Sequence, residues 1–337
     1  MKFLKNNRLV YFGYFLKKTN WKKFFSDLDF VASKTGKHKI SLIFEVFFCS
    51  VKHGTSFHEY FYYSFWKIPN KEKATYASSA FMYEFQLKAN PVKYRSTIEN
   101  KAIFLKNNED VTKRDWLDVS SSCEIKVEKF FHNKVKVVLK NATGKAGREV
   151  KIITPQLFNG KTLKSFAKAN NLNLMEDYVV QHPFMENLSS RSLNTIRIIT
   201  LINGESNIAF LGAVLRIGFG KGTDNLSTGG VAFPVDIKDG LITGPGVSFD
   251  IRKPPVYQSP ETNQKFVGLK IPFWPQCLLL AEKIALRFPQ VRSVGWDIAI
   301  TTKGPIVIEG NHDWGARLWQ MPHKKGLRYL IENYKVL

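Results

Sequence analysis

Cysteine is scarce in this chain: Cys49, Cys123 and Cys277 stand far apart among 337 residues. An odd number, with no CxxC pair and no Cys/His ligand spacing, argues against a disulfide framework or a structural zinc site. Buried thiols in a reducing compartment are the expectation. Long apolar runs are missing as well. None reaches the roughly 18 residues of a membrane-crossing helix. The first residues, Met1 to Arg8, lack the apolar stretch and small-residue cleavage site of a signal peptide, so a cytoplasmic location is expected. No repeat or low-complexity tract is present. The last shortage is of acids: 28 Asp and Glu against 50 Lys and Arg, a net charge of +22. Such an excess asks for a polyanionic neighbour, whether nucleic acid, an anionic membrane surface or phosphorylated substrates. Residues 1–110 hold 19 basic and 9 acidic side chains, and the rest hold 31 and 19 over twice the length. The basic density is therefore highest at the N-terminus.

What is present suffices for two or three domains and a large core. From Trp21 to about Tyr83 apolar residues fall at helical spacing. Ile40–Val51 reads as a buried helix, ended by His53-Gly54. Thr55/Ser56 with Glu59 form a capping signal for an aromatic helix over 57–66. Its rings can fill a core beneath solvated lysines, lie on a membrane, or stack on bases. No nucleic-acid motif accompanies them.

The C-terminal third carries a hairpin signature. Apolar, β-branched runs 297–300 and 305–308 flank Thr301-Thr302-Lys303-Gly304. Asp297 opens the first strand, Glu309 closes the second, and Asn311 follows on the same face at period two. Antiparallel pairing brings the three together. Two carboxylates and an amide oxygen suit Mg²⁺, whose remaining ligands are water and phosphate. A polar strand end in solvent is the plainer alternative.

Upstream, residues 134–140 read as a strand ending in Lys140. A small, basic loop follows over 141–148 with Gly144 and Gly147, then an apolar stretch over 150–154. Such a loop can fold over phosphates, although GxxxxGK[ST] is absent, and a surface hairpin with a basic tip explains it equally. Residues 172–180 and 194–202 are strand-like, and 208–217 pairs back after Asn203-Gly204. Arg197 and Arg216 lie in apolar strands and each needs an anion or a structural carboxylate. The glycine-rich segment 218–230, with Asp224 and Asn225, reads as a substrate loop. Residues 272–288 form an amphipathic helix.

Six ordered motifs carry a resemblance: Gln181-His182-Pro183, Ser192 through Arg197, Leu215 through Gly218, Asp224-Asn225 with Gly229-Gly230, Gly295 through Ala299, and Gly304 through Asn311. Together they resemble the sugar-transfer-associated ATP-grasp family, strongly over 174–315 and fairly over 100–173. The resemblance implies an α+β ATP-grasp fold, in which two α+β subdomains clamp ATP, preceded by a mainly helical, basic N-terminal region. It implies boundaries at 1–99 and 100–337, the latter split into 100–180 and 181–337. ATP and Mg²⁺ are the implied cofactors. Lys101 and Lys140, with Gly144 and Gly147, would contact phosphates. Glu176, Asp177, Tyr178, Val179, Gln181 and His182 would flank the adenine. Asp297, Glu309 and Asn311 would hold the metal and, with Arg197 and Arg216, form the catalytic set. Asn194, Asp224 and Asn225 are substrate candidates. One departure stands out: many ATP-grasp ligases carry an arginine where this chain has Gly295, a role left to Arg197 or Arg216.

The resemblance implies an ATP-dependent carboxylate–amine ligase acting through an acyl phosphate in cell-surface polysaccharide or glycolipid biosynthesis. Its partners would be a small-molecule or glycan carboxylate and an amine donor; separately, the basic, aromatic N-terminal region fits peripheral contact with an anionic membrane rather than nucleic acid. The competing readings are a kinase on the same fold, which leaves a stable phosphorylated product, and a non-catalytic polyanion-binding protein.

Overall fold

The computed structural model describes residues 7–144, 149–204, 207–220, 224 and 229–334. It begins with helices α1 (Arg8–Lys18), α2 (Trp21–Thr35), α3 (Lys39–His53) and α4 (Phe57–Tyr62). Local chemistry sets their ends. Asn20 accepts from the Lys23 N–H at the start of α2, and Gly36 and Gly54 close α2 and α3 at φ 71°, a left-handed conformation that favours glycine. Glu59 reaches back to the Ser56 N–H at 2.8 Å, the reciprocal half of the expected capping box. The same carboxylate accepts from Ser79 N at 3.1 Å, where α5 (Ser79–Ala89) begins.

Phe24, Phe57, Tyr60, Phe61 and Phe65 are fully buried, so the rings of α4 mainly fill a core. α3 departs from the buried helix expected. Leu42, Val46 and Cys49 face inward, but Ile40, Phe44 and Phe48 are 57%, 69% and 51% exposed. A helix apolar around most of its circumference has two apolar faces, and the bundle supplies a core for one. Cys49 and Cys277 are buried as expected, whereas Cys123 is exposed.

Two antiparallel sheets follow. β1 (Trp116–Asp118), β2 (Val137–Lys140), β3 (Val150–Ile153) and β4 (Leu174–Asp177) form the first, in the order β1-β4-β2-β3. α6 (Lys101–Asn107) leads into this unit, and α7 (Glu124–Phe131) and α8 (Gly160–Ala169) cover one face of its sheet. Val137, Leu139 and Met175 point into that core. By alternation, Val138, Lys140 and Glu176 point the other way.

β5 (Thr195–Asn203), β6 (Asn207–Ile217), β7 (Val231–Val235), β8 (Ser293–Thr301) and β9 (Gly304–Asn311) form the second sheet, in the order β7-β6-β5-β8-β9. Ile196, Ile198, Leu215 and Ile298 pack beneath α9 (Trp274–Ala285). On the opposite face Ile199, Leu201 and Leu211 meet α5 and α10 (Ala316–His323) through Phe81, Phe85 and Trp319.

Packing therefore changes before residue 99, the boundary expected from sequence. α5 belongs to the core of the second sheet, and Asn90 Nδ2 donates to the carbonyls of Ser293 and His312 at 2.8 and 3.0 Å. Buried Gln320 ties the N-terminal bundle to the same unit. Its amide accepts from Ala77 N and donates to the Tyr63 hydroxyl. Among the described residues no helix is long and apolar enough to cross a membrane.

Candidate active site

Register assembles the site. Arg197 on β5 lies opposite Asp297 on β8, Asp297 lies opposite Glu309 on β9, and Thr195 lies opposite Arg216 on β6. Opposed residues share a sheet face, so one row of charge crosses four strands. Asn311 joins it opposite Gly295. The Arg197 guanidinium grips Asp297 with two bonds of 2.7 Å, and Arg216 donates to the same carboxylate at 2.6 Å. Arg216 also donates to Asp224 at 2.8 Å, and the Thr195 hydroxyl donates to Asp224 too. Asp297 is 2% exposed. Burial alone would raise its pKa, but the two guanidiniums outweigh it and hold the carboxyl down at about 2.

The first sheet faces this row across a cavity of about 590 Å³. Lys140 Nζ reaches Glu176 at 3.0 Å, and Arg114 Nε reaches the same oxygen at 2.7 Å. Burial pushes Glu176 up, yet Lys140 and Arg114 bring it down to about 2. Its Oε1 has no hydrogen-bond partner. Lys101 Nζ donates to the Gly144 carbonyl at 2.5 Å. Burial lowers the Lys101 pKa, and the charge of Glu309 across the cleft works against that.

Lys101, Lys140, Gly144 and residues 176–179 line the cavity with Arg197, Arg216, Asp224, Asp297, Glu309 and Asn311. Asp177 accepts from Lys134 Nζ at 2.5 Å, and the Tyr178 ring lies under Lys136. Other candidates do not come to the cleft. Buried Gln181 spends its amide on Glu186, Ser189 and Ser192, and accepts from Asn194 N. His182 caps the helix Pro183–Leu188 by accepting from Phe184 N. Asn194 donates to the carbonyls of Met185 and Ser189. These three brace the start of β5. Gly147 and Asn225 lie outside the described residues.

Sequence reasoning missed Arg114 and Arg317. Arg114 also donates to the carbonyls of Val307 and Ile308, at 2.7 and 2.8 Å, and so joins the two sheets. It sits in a bend between the helical turn Glu109–Thr112 and β1, where no periodicity marks it. Arg317 lines the cavity with its guanidinium carbon 5.6 Å from the Tyr62 ring centroid and 5.4 Å from that of Phe249. Among the described residues no carboxylate lies within ion-pair distance of it. Its one signal was its place two residues after Gly315, the end of the hairpin motif.

Gly295, the apparent gap, is filled. A Cβ there would stand 2.6 Å from Trp314 Cβ and 3.1 Å from Arg197 Cδ, because the arginine stem runs across the glycine.

The donors fit a magnesium nucleotide. Asn311 Nδ2 lies 3.3 Å from both Asp297 Oδ2 and Glu309 Oε1. Turning that amide presents a carbonyl oxygen to the same point, which completes a set of hard oxygen donors. Among the described residues no group of three or more His, Cys, Asp or Glu side chains is placed to hold a metal; the donor set here has two carboxylates, Asp297 and Glu309.

The model of the sugar-transfer associated ATP-grasp family matches residues 159–335, more than half of the chain. The chain belongs to that family. Its two facing sheets are those of the ATP-grasp fold. No curated protein matches the chain. Similar solved structures include the ATP-grasp ligase PsnB complexed with minimal precursor, at 11% identity over 78% of this chain and 70% of that one, TM-score 0.45. D-alanyl-alanine synthetase A from Vibrio cholerae is 12% identical over 71% and 61% of the chains, TM-score 0.43. The L-amino acid ligase from Bacillus licheniformis is 12% identical over 71% and 48%, TM-score 0.41. This chain thus spans 61% of the synthetase and about half of the L-amino acid ligase.

Proposed function

We propose that this ATP-grasp protein is an ATP- and Mg²⁺-dependent ligase that joins a carboxylate to an amine during glycan assembly. One observation carries the reading: a face rich in lysine and arginine opposes a face bearing Asp297 and Glu309 across a single cavity. The first face suits phosphates and the second suits a cation. The family's association with sugar transfer supports the glycan context.

In this reading Lys101 and Lys140 hold the phosphates, residues 176–179 run beside the base, and Asp297, Glu309 and Asn311 hold the metal. Mg²⁺ supplies charge neutralisation at the transferring phosphoryl group. A substrate carboxylate oxygen bonds to the terminal phosphorus as the bond to ADP breaks. The amine then attacks the carbonyl carbon, loses a proton, and phosphate leaves with the amide formed. Arg197 or Arg216 was the expected stabiliser of the acyl phosphate. With their donors on Asp297 and Asp224, we assign them the positioning of Asp297. Arg317, whose donors meet no carboxylate, takes the substrate's anionic group instead.

The test is ATP turnover by the purified protein against panels of uronic acids and amino compounds, with product analysis. An amide product with ADP and phosphate supports ligation, and a stable phosphorylated product means a kinase. Wild-type turnover in both Asp297→Ala and Glu309→Ala would remove the metal assignment.

A further inference from the structure

The N-terminal bundle has an outer surface that the cleft does not explain. α1 is apolar on both sides. Phe12 and Phe15 face the core, Phe12 lying 5.4 Å from the Phe47 ring of α3. Leu9, Val10 and Tyr14 on the outside are 75%, 69% and 56% exposed. On α3 the exposed Ile40, Phe44 and Phe48 recur every four residues, which sets them in a row along one side of the helix. Phe47, which meets α1, adjoins that row, so the outer residues of α1 border it. Trp21 and Phe25 of α2, rings 6.0 Å apart, are also exposed, and Trp21 packs on Phe57 of the shared core. Three of the four exposed phenylalanines among the described residues lie in this bundle, so the patch is a local concentration, not the usual scatter.

Charge decides what covers it. Every acid in α1–α3 is already engaged: Asp27 with Lys23 and Arg252, Asp29 with Lys39, Glu45 with Lys37. Lys17, Lys18, Lys22, Lys34 and Lys52 are exposed and have no carboxylate partner among the described residues. Lys52 lies over the Phe48 ring at 5.1 Å, and Lys34 over Phe30 at 5.4 Å. Stem against ring and head toward water is the posture of lysine at a membrane interface. A second copy of the chain docked on the same face would oppose these unpartnered lysines to one another, at an electrostatic cost.

We infer that the outer face of α1–α3 docks on an anionic lipid surface, with the five lysines against headgroups and the Ile40–Phe44–Phe48 row and the outer side of α1 at the acyl boundary. No described helix is long and apolar enough to span, so the helices lie in the surface. The same bundle carries Tyr62, whose ring lies against Arg317 of the cleft lining, so the docked protein keeps its cavity tethered to the bilayer.

The experiment is co-sedimentation of the full chain with phosphatidylglycerol–phosphatidylcholine vesicles and with pure phosphatidylcholine vesicles, at low and high salt. Wild type pellets with the anionic vesicles and is released by salt. Phe44→Glu/Phe48→Glu weakens that binding by about tenfold or more, with an unchanged thermal melt because both side chains are exposed. Replacing the five lysines by Gln weakens it similarly. Absence of pelleting at low salt overturns the inference. So does equal binding by the Phe44→Glu/Phe48→Glu protein, which means charge alone acts. Concentration-dependent dimerisation of wild type, abolished in that variant and unaccompanied by vesicle binding, assigns the patch to a second copy.

Discussion

The two faces of the cleft are built from the same ingredients in different arrangements. On the first sheet, Lys101, Lys140 and Arg114 surround one buried acid, Glu176. On the second, Arg197 and Arg216 are interleaved with Asp224, Asp297 and Glu309. Each side is stabilised internally by ion pairs out of water. The lesson is that burying charge in a cleft needs a local partner whatever the ligand. Among the described residues the groups outside these ion pairs are Lys101 and the unpaired oxygen of Glu176 on one side, Glu309 and Asn311 on the other.

The comparison breaks most severely at Asp297. Asp297→Ala leaves two buried guanidiniums without their shared partner, so it should cost about 3–5 kcal/mol in denaturant unfolding and abolish turnover. Asp297→Asn should unfold less readily than the alanine variant yet remain inactive. The counterpart on the first sheet is Glu176. Its folded pKa is depressed, so its contribution is present above about 4.5 and is lost as pH falls toward about 2. Glu176→Gln should flatten that acid arm in a stability–pH series while leaving the second sheet's dependence intact. Gly295→Ala is a smaller steric probe: the new methyl meets Trp314 and the Arg197 stem, for a loss of about 1–3 kcal/mol in melting experiments. Arg317→Ala should be the mildest for stability, within about 1 kcal/mol, while raising KM for the anionic substrate about tenfold with kcat less affected.

Much of this was legible because strands repeat at two. Asp297, Glu309 and Asn311 were placed on one face by counting, and the register agrees. The capping box at Ser56 and Glu59 was equally local. Gln181, His182 and Asn194 differ: they sit inside a motif, and their hydrogen bonds go to the turn that launches β5, away from the cleft lining. Arg114 and Arg317 reach the cleft from distant segments, and no spacing rule connects them. α3 shows a further limit. Apolar periodicity states that a face is apolar, not which neighbour covers it.

Arg114 has a mechanical consequence. Its planar fork holds Glu176 of one sheet and two adjacent carbonyls of β9 at once. Sliding one sheet past the other would tear bonds on both sides of that plane, whereas swinging about it strains them least. The arginine therefore fixes the register of one sheet against the other while leaving rotation about its own plane the softest direction.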